Sequence, residues 1–143
     1  MLIRPFRQAD MQIVRELLRQ LGYEVAADEL ISRLARVRAA ADHNVVVAEQ
    51  GECVVGLLHV FERPALEKPC EAVVQALVVD AKLRGQGIGK ALMDAADAWA
   101  RARGLGSIAL HTRHAQAFYG RLGYVNVSTS DLMRKTVSPL KRS

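Results

Sequence analysis

Three closely spaced glycines follow an apolar stretch, and this run constrains the fold more than any other part of the chain. Residues 72–79 are almost entirely apolar, which is typical of a buried strand. The glycines come next, at positions 85, 87 and 89. Beyond them an apolar stripe recurs at helical spacing, formed by Ile88, Leu92, Ala95 and Trp99. The sequence therefore predicts a strand, a glycine loop and a helix in direct succession.

This loop has the chemistry of a phosphate-binding site. Glycines let the backbone approach an anion without interference from Cβ, and the first amides of a helix have no partner within it. Arg84 and Lys90 place positive charge at the two ends of the run. We therefore expect main-chain amides between residues 84 and 90 to bind a phosphate compound.

The glycine spacing disagrees with two common nucleotide-binding motifs. A Rossmann fingerprint reads G-x-G-x-x-G with an acidic residue about 20 positions later, whereas the region 104–109 is uncharged here. A P-loop needs four residues before its Gly-Lys pair and then Ser or Thr, but three residues separate Gly85 from Gly89, and Ala91 follows the lysine. Dinucleotide and metal–nucleotide chemistry are both disfavoured.

The remaining pattern, Arg84-x-x-Gly87-x-Gly89, resembles the acyl-CoA loop of the GNAT family of N-acetyltransferases. As in that family, a Leu-x-Val strand end at residues 77–79 precedes it, although the family's usual proline is Ala81 here. A second segment, residues 115–124, is similar to the family's A-x-x-F-Y-x-x-x-G-F/Y block. The two blocks occur in the family's order, and the resemblance covers most of the chain.

The resemblance implies an α+β fold of three layers, in which about four helices flank a central mixed and mostly antiparallel sheet of six or seven strands. Length and an apolar content of 50% suit a single domain, which we expect over residues 1–138, with a flexible tail at 139–143. Residue patterning predicts strands at 2–4, 45–49, 53–61, 72–79, 107–110, 124–128 and 132–137, and helices at 10–21, 27–41, from the glycine loop to Gly104, and 115–122.

Membership would imply acetyl-CoA as cosubstrate and direct transfer of its acetyl group, in a ternary complex, to a primary amine of a small molecule or peptide. Thr112 stands where the family usually has an asparagine, and a hydroxyl replaces only part of an amide's bonding. The implied cofactor contacts are Leu77, Val78, Val79, Arg84, Gly85, Gln86, Gly87, Ile88, Gly89, Lys90 and Thr112.

Acetyl transfer from a thioester to an amine needs a polarised carbonyl, a neutral amine and protonation of the departing thiolate. For the carbonyl, the family implies a backbone N–H on the strand ending at Val79, splayed from its neighbour. For the thiolate, Tyr119 stands where the family often carries a tyrosine, and a phenol with a pKa near 10 can donate a proton. The alternative for Tyr119 is a purely structural role beside Phe118.

The general base is less closely defined by the sequence. Glu71 begins the cofactor strand and His59 lies on the preceding strand, so both are candidates, and His111 and His114 flank the turn into the last helix. A chain without a dedicated base would rely on solvent. The four histidines show no metal-ligand spacing, and we expect no metal site.

Charge and composition leave two other function classes open. A net charge of +5 and a pI near 9.6 suggest a nucleic-acid-binding regulator, but the basic residues are scattered and no aromatics are interleaved with them. We therefore do not expect nucleic acid as a partner. The second alternative is an acyl-CoA sensor that binds without transfer.

Two expectations concern the protein's surroundings. No apolar run approaches 18 residues, so we expect a soluble, cytoplasmic protein without a membrane partner, and its two cysteines as reduced core thiols. Homodimers through the closing strands are common in the family, and the oligomeric state stays open.

Overall fold

A computed structural model describes residues 1–128 and 130–139 of the chain, in two units that span Met1–His111 and Thr112–Ser143. The first unit contains strands β1 Leu2–Pro5, β2 His43–Gln50, β3 Cys53–Arg63, β4 Glu71–Val79 and β5 Ile108–Leu110, with helices α1 Met11–Leu21, α2 Ala27–Ala39 and α3 Ile88–Ala102. The second unit contains helix α4, Gln116–Arg121.

The five strands form one sheet in the order β1-β2-β3-β4-β5. The first three pairings are antiparallel, and β4 pairs with β5 in parallel. Gly51 and Glu52 join β2 to β3 with φ angles of +58° and +67°, the left-handed pair that a two-residue hairpin turn requires. The parallel pair needs a crossover, which α3 supplies.

Helices cover both faces of the sheet in the first unit. On one face, α1 and α2 bury a continuous core made of Phe6, Met11, Val14, Leu17, Leu30, Val47, Val54, Leu57 and Val78. On the other face α3 lies against β3, so closely that a Cβ added to Gly56 would be 2.9 Å from Leu92 Cδ1. The predicted three-layer α+β fold is therefore confirmed.

A buried ion pair fixes the entry into α1. Arg4 on β1 donates two hydrogen bonds to the Asp10 carboxylate, at 2.8 and 2.9 Å, and the Arg7 amide donates a third at 2.8 Å. These donors, Arg4 first, lower the pKa of Asp10. At its other end α1 stops at Gly22, whose φ of +112° permits the left-handed cap that the sequence predicts.

The strand count is lower than predicted, five instead of six or seven. Residues 124–128 and 132–137 were expected to close the sheet, but neither segment is a strand. Their apolar side chains are exposed, among them Val127 at 87% and Met133 at 89%. Between them Ser128 accepts a hydrogen bond from the Ser130 amide, and such local bonds compete with strand pairing.

Three smaller expectations concern the cysteines, membrane spans and the C-terminal tail. Both cysteines are free, as predicted, but Cys53 is exposed and Cys70 partly exposed, so neither is the core thiol that we expected. Among the residues described, no helix is both long and apolar enough to cross a membrane. Residues 140–143 of the expected tail lie outside the described residues, and the single-domain boundary at 138 stays a prediction.

Candidate functional site

The candidate site lies where strands β4 and β5 stop pairing with each other. Parallel pairing between them covers only Ala72–Val74 with Ile108–Leu110. From Gln75 to Val79, β4 continues beside β3 alone. The main-chain groups on the other edge of this stretch therefore have no ladder partner in β5.

A β-bulge marks the same point on β4. His59 pairs with Ala76 while its neighbour Val60 pairs with Val74, so Gln75 is an extra residue without a partner across the pair. Its side chain is exposed. Bulges bend a strand and re-aim its side chains, which explains why β4 leaves β5 here. No residue pattern in the sequence predicted this bulge.

A tightly held turn leads from β4 into the glycine loop. The Asp80 amide donates to the Val55 carbonyl at 2.8 Å, and the Asp80 carboxylate accepts from the Lys82 amide at 3.2 Å. The Ala81 amide donates to Gln20 Oε1 of α1 at 2.8 Å. The family's usual proline has no such N–H, so Gln20 satisfies a donor that exists because this chain carries alanine. Sequence reasoning did not identify Gln20.

The glycine loop ends as the N-terminus of α3. Gly85 and Gly87 have φ angles of +82° and +84°, which disfavour any residue with a Cβ, and the space beside both is open to 4 Å. Ala91 donates the first intrahelical bond, to the Gly87 carbonyl at 3.1 Å. The amides of Ile88, Gly89 and Lys90 precede that bond and point out of the helix end. This geometry fits a phosphate group.

The two cations of the loop differ in their surroundings. Lys90 Nζ donates to the Asp94 carboxylate at 3.0 Å, one turn along α3. Arg84 is exposed, and its guanidinium makes no ion pair or hydrogen bond with any residue that the structure describes. Arg84 is therefore the cation available to an anion at the loop.

Glu71, a predicted base, is held in a network of donors. Its carboxylate is paired with Arg63 at 2.6 Å and Lys68 at 3.3 Å, and it accepts from Ser107 Oγ at 3.2 Å. These partners, Arg63 above all, lower its pKa against the opposing effect of burial. A carboxylate stabilised in this way is a poor proton acceptor.

His59 has a different environment. It is partly buried, and its Nε2 lies 2.9 Å from Nδ1 of His43 on β2. Burial, followed by the neighbouring His43, lowers the pKa of His59 to about 4. It is therefore neutral near pH 7 and lies directly across from the β4 bulge. His43 is a residue that sequence reasoning passed over.

The two remaining predicted site residues belong to the second unit. Thr112 Oγ1 accepts a hydrogen bond from the Ala115 amide at 3.1 Å, next to the start of α4, which leaves its hydroxyl hydrogen to donate elsewhere. Tyr119 lies on α4 with its ring 5.0 Å from that of Phe118 and 5.7 Å from that of Tyr124. Burial raises the pKa of the Tyr119 phenol.

In the parts of the chain that are described, no group of three or more His, Cys, Asp or Glu side chains is placed to hold a metal ion.

Comparison with known proteins identifies relatives of this chain. Residues 11–124 match the model of the acetyltransferase (GNAT) family. The chain is 42% identical to N-alpha-acetyltransferase 80 of Mus musculus over 59 residues, which are 41% of this chain. The match spans 19% of that protein's length.

Solved structures share the fold over nearly the whole chain. An aminoglycoside 6'-N-acetyltransferase from Acinetobacter haemolyticus superposes with a TM-score of 0.81 at 16% identity, covering 96% of this chain and 100% of the other. Glucosamine-6-phosphate N-acetyltransferase from Arabidopsis thaliana gives 0.79 at 23% identity, covering 96% and 98%. At these identities the likeness concerns the fold.

Proposed function

The chain belongs to the GNAT family of acetyltransferases, and from that premise we propose that it moves the acetyl group of acetyl-CoA directly to a primary amine in a ternary complex. The observation that carries the proposal is the joint geometry of β4 and α3. One free strand edge, at residues 75–79, leads through a short turn into a helix N-terminus with three outward amides.

These two features match the two ends of an acyl-CoA molecule. A diphosphate is bound well by unpaired N–H groups at a positive helix end, and Arg84 adds a fixed charge beside them. The pantetheine arm carries amides, which can pair with a free strand edge as another strand would. A thioester oxygen can then accept from a main-chain N–H of Leu77–Val79, which polarises its carbonyl.

His59 is the proton acceptor that we favour over Glu71. The amine nitrogen attacks the thioester carbon, the carbon–nitrogen bond forms and the nitrogen becomes acidic. A neutral imidazole can accept that proton, whereas the Glu71 carboxylate already accepts from Arg63, Lys68 and Ser107. His59 also lies opposite the bulge at which β4 parts from β5.

Tyr119 is proposed as the proton donor for the departing thiolate. Its phenol is protonated at neutral pH, and burial raises its pKa further above that range. A Tyr119→Phe variant keeps the ring contacts with Phe118 and Tyr124 but removes the hydroxyl. We expect kcat to fall about 100-fold with the KM for acetyl-CoA unchanged, a split that indicates loss of a transition-state interaction. An unchanged kcat would restrict Tyr119 to packing.

The acceptor class is tested by a thiol-release assay with acetyl-CoA. The acetyltransferases named above motivate a panel of kanamycin, glucosamine 6-phosphate and a peptide with a free N-terminal amine, with spermidine added. We expect release of CoA with at least one of these amines and a matching mass increase of the amine. Tight acetyl-CoA binding without release from any amine would favour the sensor alternative.

A further inference from the structure

We propose that His43 and Asp42 extend His59 into a relay that carries the proton of the acceptor amine to solvent. This inference rests on the proposed function and adds two positioning residues to it. His43 and His59 lie on β2 and β3, on the sheet face that α1 and α2 cover, and Asp42 directly precedes β2.

The relay is defined by two contacts. His59 Nε2 and His43 Nδ1 are 2.9 Å apart, which is a hydrogen bond in which one ring must donate and the other accept. His43 Nε2 lies 4.0 Å from Asp42 Oδ1, an ion-pair distance that one water molecule can also bridge. His43 is further held by stacking on Phe61, with ring centroids 5.0 Å apart and planes inclined by 12°.

The order of the groups determines the tautomers. A carboxylate next to Nε2 of His43 favours a proton on that nitrogen, which leaves Nδ1 as an acceptor. His59 then donates from Nε2, and its own Nδ1 carries the free lone pair. This is the nitrogen that can accept a proton from an amine approaching the β4 bulge.

Exposure increases from His43 to Asp42. His59 is partly buried, the side chain of His43 is 24% exposed and that of Asp42 41% exposed. His43 also lines a surface depression together with Val37 and Arg38 of α2. A proton that reaches His43 is therefore at the protein surface, where water can remove it.

The proton balance closes without a further reagent. As the carbon–nitrogen bond forms and the carbon–sulfur bond breaks, the nitrogen proton moves to His59 Nδ1. The Nε2 proton of His59 passes to His43 Nδ1, and the Nε2 proton of His43 leaves to water beside Asp42. The thiolate takes a proton from Tyr119 or solvent, and exchange with solvent restores the starting tautomers.

The surroundings of the two imidazoles include one acidic and one basic side chain. Asp42, which directly precedes β2, lies next to His43, and on β4 the residue paired with His59 is the uncharged Ala76. From α2, Arg38 lines the same depression as His43, with its guanidinium donating to the Phe6 carbonyl at 2.8 Å. Positive charge on His43 lowers the pKa of His59, so the two imidazoles do not hold protons at once without cost.

The experiment compares the full chain with its His43→Gln and Asp42→Asn variants. Asp97→Asn, an exposed carboxylate on α3, is the matched control. The rate of CoA release is followed from pH 5 to 9 with the most reactive amine of the panel. Proton NMR of the imidazoles follows the His59 titration without any need for activity, and acetyl-CoA affinity reports whether each variant keeps its fold.

We expect His43→Gln to lower kcat about 10-fold to 100-fold, and Asp42→Asn by a smaller factor, while acetyl-CoA affinity and the control stay at the wild-type value. The pKa of His59 should rise in His43→Gln. A His43→Gln protein that keeps the wild-type kcat and pH profile would overturn the relay. A wild-type chain that binds acetyl-CoA but acetylates no amine would instead overturn the proposed function, and the relay with it.

Discussion

At the scale of single residues, the account depends on side chains whose charge state the fold has changed. His59 stays neutral to about pH 4 because burial and the adjacent His43 oppose its protonation. Asp10 and Glu71 stay ionised because arginines pair with them. The first of these shifts keeps His59 neutral, with a ring lone pair free at neutral pH, and the other two stabilise the fold.

The shift at His59 predicts a pH dependence of stability. Between pH 6.5 and pH 4 the unfolded chain binds a proton at His59 and the folded chain does not. The free energy of unfolding therefore decreases by up to about 3 kcal/mol as the pH is lowered over this interval. Urea unfolding of the wild type and of His59→Gln at both pH values measures it. The variant should lose clearly less stability over that interval, and equal losses would contradict the assignment.

The two cations of the glycine loop, Arg84 and Lys90, should contribute unequally to acetyl-CoA affinity. Arg84→Ala should weaken the binding of acetyl-CoA about 10-fold, because it removes a charged donor that has no other described partner. Lys90→Ala should cost less, since Lys90 already pairs with Asp94. Calorimetric titration of both variants with acetyl-CoA gives the comparison. A larger loss from Lys90→Ala would place the diphosphate differently along the loop.

Residue patterns could predict the loop but not the histidine pair. The register at the hairpin turn, Gln50 opposite Cys53, would pair His43 with Val60 if it continued unbroken. A bulge between Ala48 and Glu49 instead pairs His43 with Phe61, which places it on the same face as His59. Because one extra residue moves every later side chain to the opposite face, the pair depends on a feature that the sequence does not mark.

At the scale of elements, the order β4, glycine loop, α3 was predicted and is confirmed, because apolar periodicity and glycine spacing both act locally. The helix starts and stops also agree to within two residues, as at Gly22. The C-terminal segments 124–128 and 132–137 contain apolar residues but form no strands. Strand formation depends on a partner strand, and apolar residues alone do not supply one.

Packing between β3 and α3 gives a prediction at the same scale. A methyl group at Gly56 would lie 2.9 Å from Leu92 and 3.3 Å from Ile88, the first residue of α3. Leu92 is fully buried and cannot move freely, so Gly56→Ala should destabilise the protein by about 1–3 kcal/mol. Denaturant unfolding measures the loss. Gly106→Ala, where nothing lies within 4 Å, is the control and should be nearly neutral.

At the scale of the whole molecule, two sequence motifs were enough to predict the family, because each is a short run of neighbouring residues. The acceptor is different, since side chains of varied elements would recognise it and no spacing encodes them. Charge gives little guidance here. A nucleic-acid regulator would retain DNA in a salt-sensitive way that a Gly87→Glu change does not abolish, whereas an acyltransferase depends on that glycine.

The central claim is that the amides at the start of α3 bind the diphosphate of coenzyme A. Titration calorimetry of acetyl-CoA with Gly87→Glu tests it most directly, because the change puts a carboxylate where a phosphate should sit. Gly104→Glu carries the same charge and a similar backbone strain, with φ of +74° instead of +84°, at the far end of α3. The account predicts at least a 100-fold loss of affinity in Gly87→Glu and wild-type affinity in Gly104→Glu. Equal affinities in the two variants would contradict it.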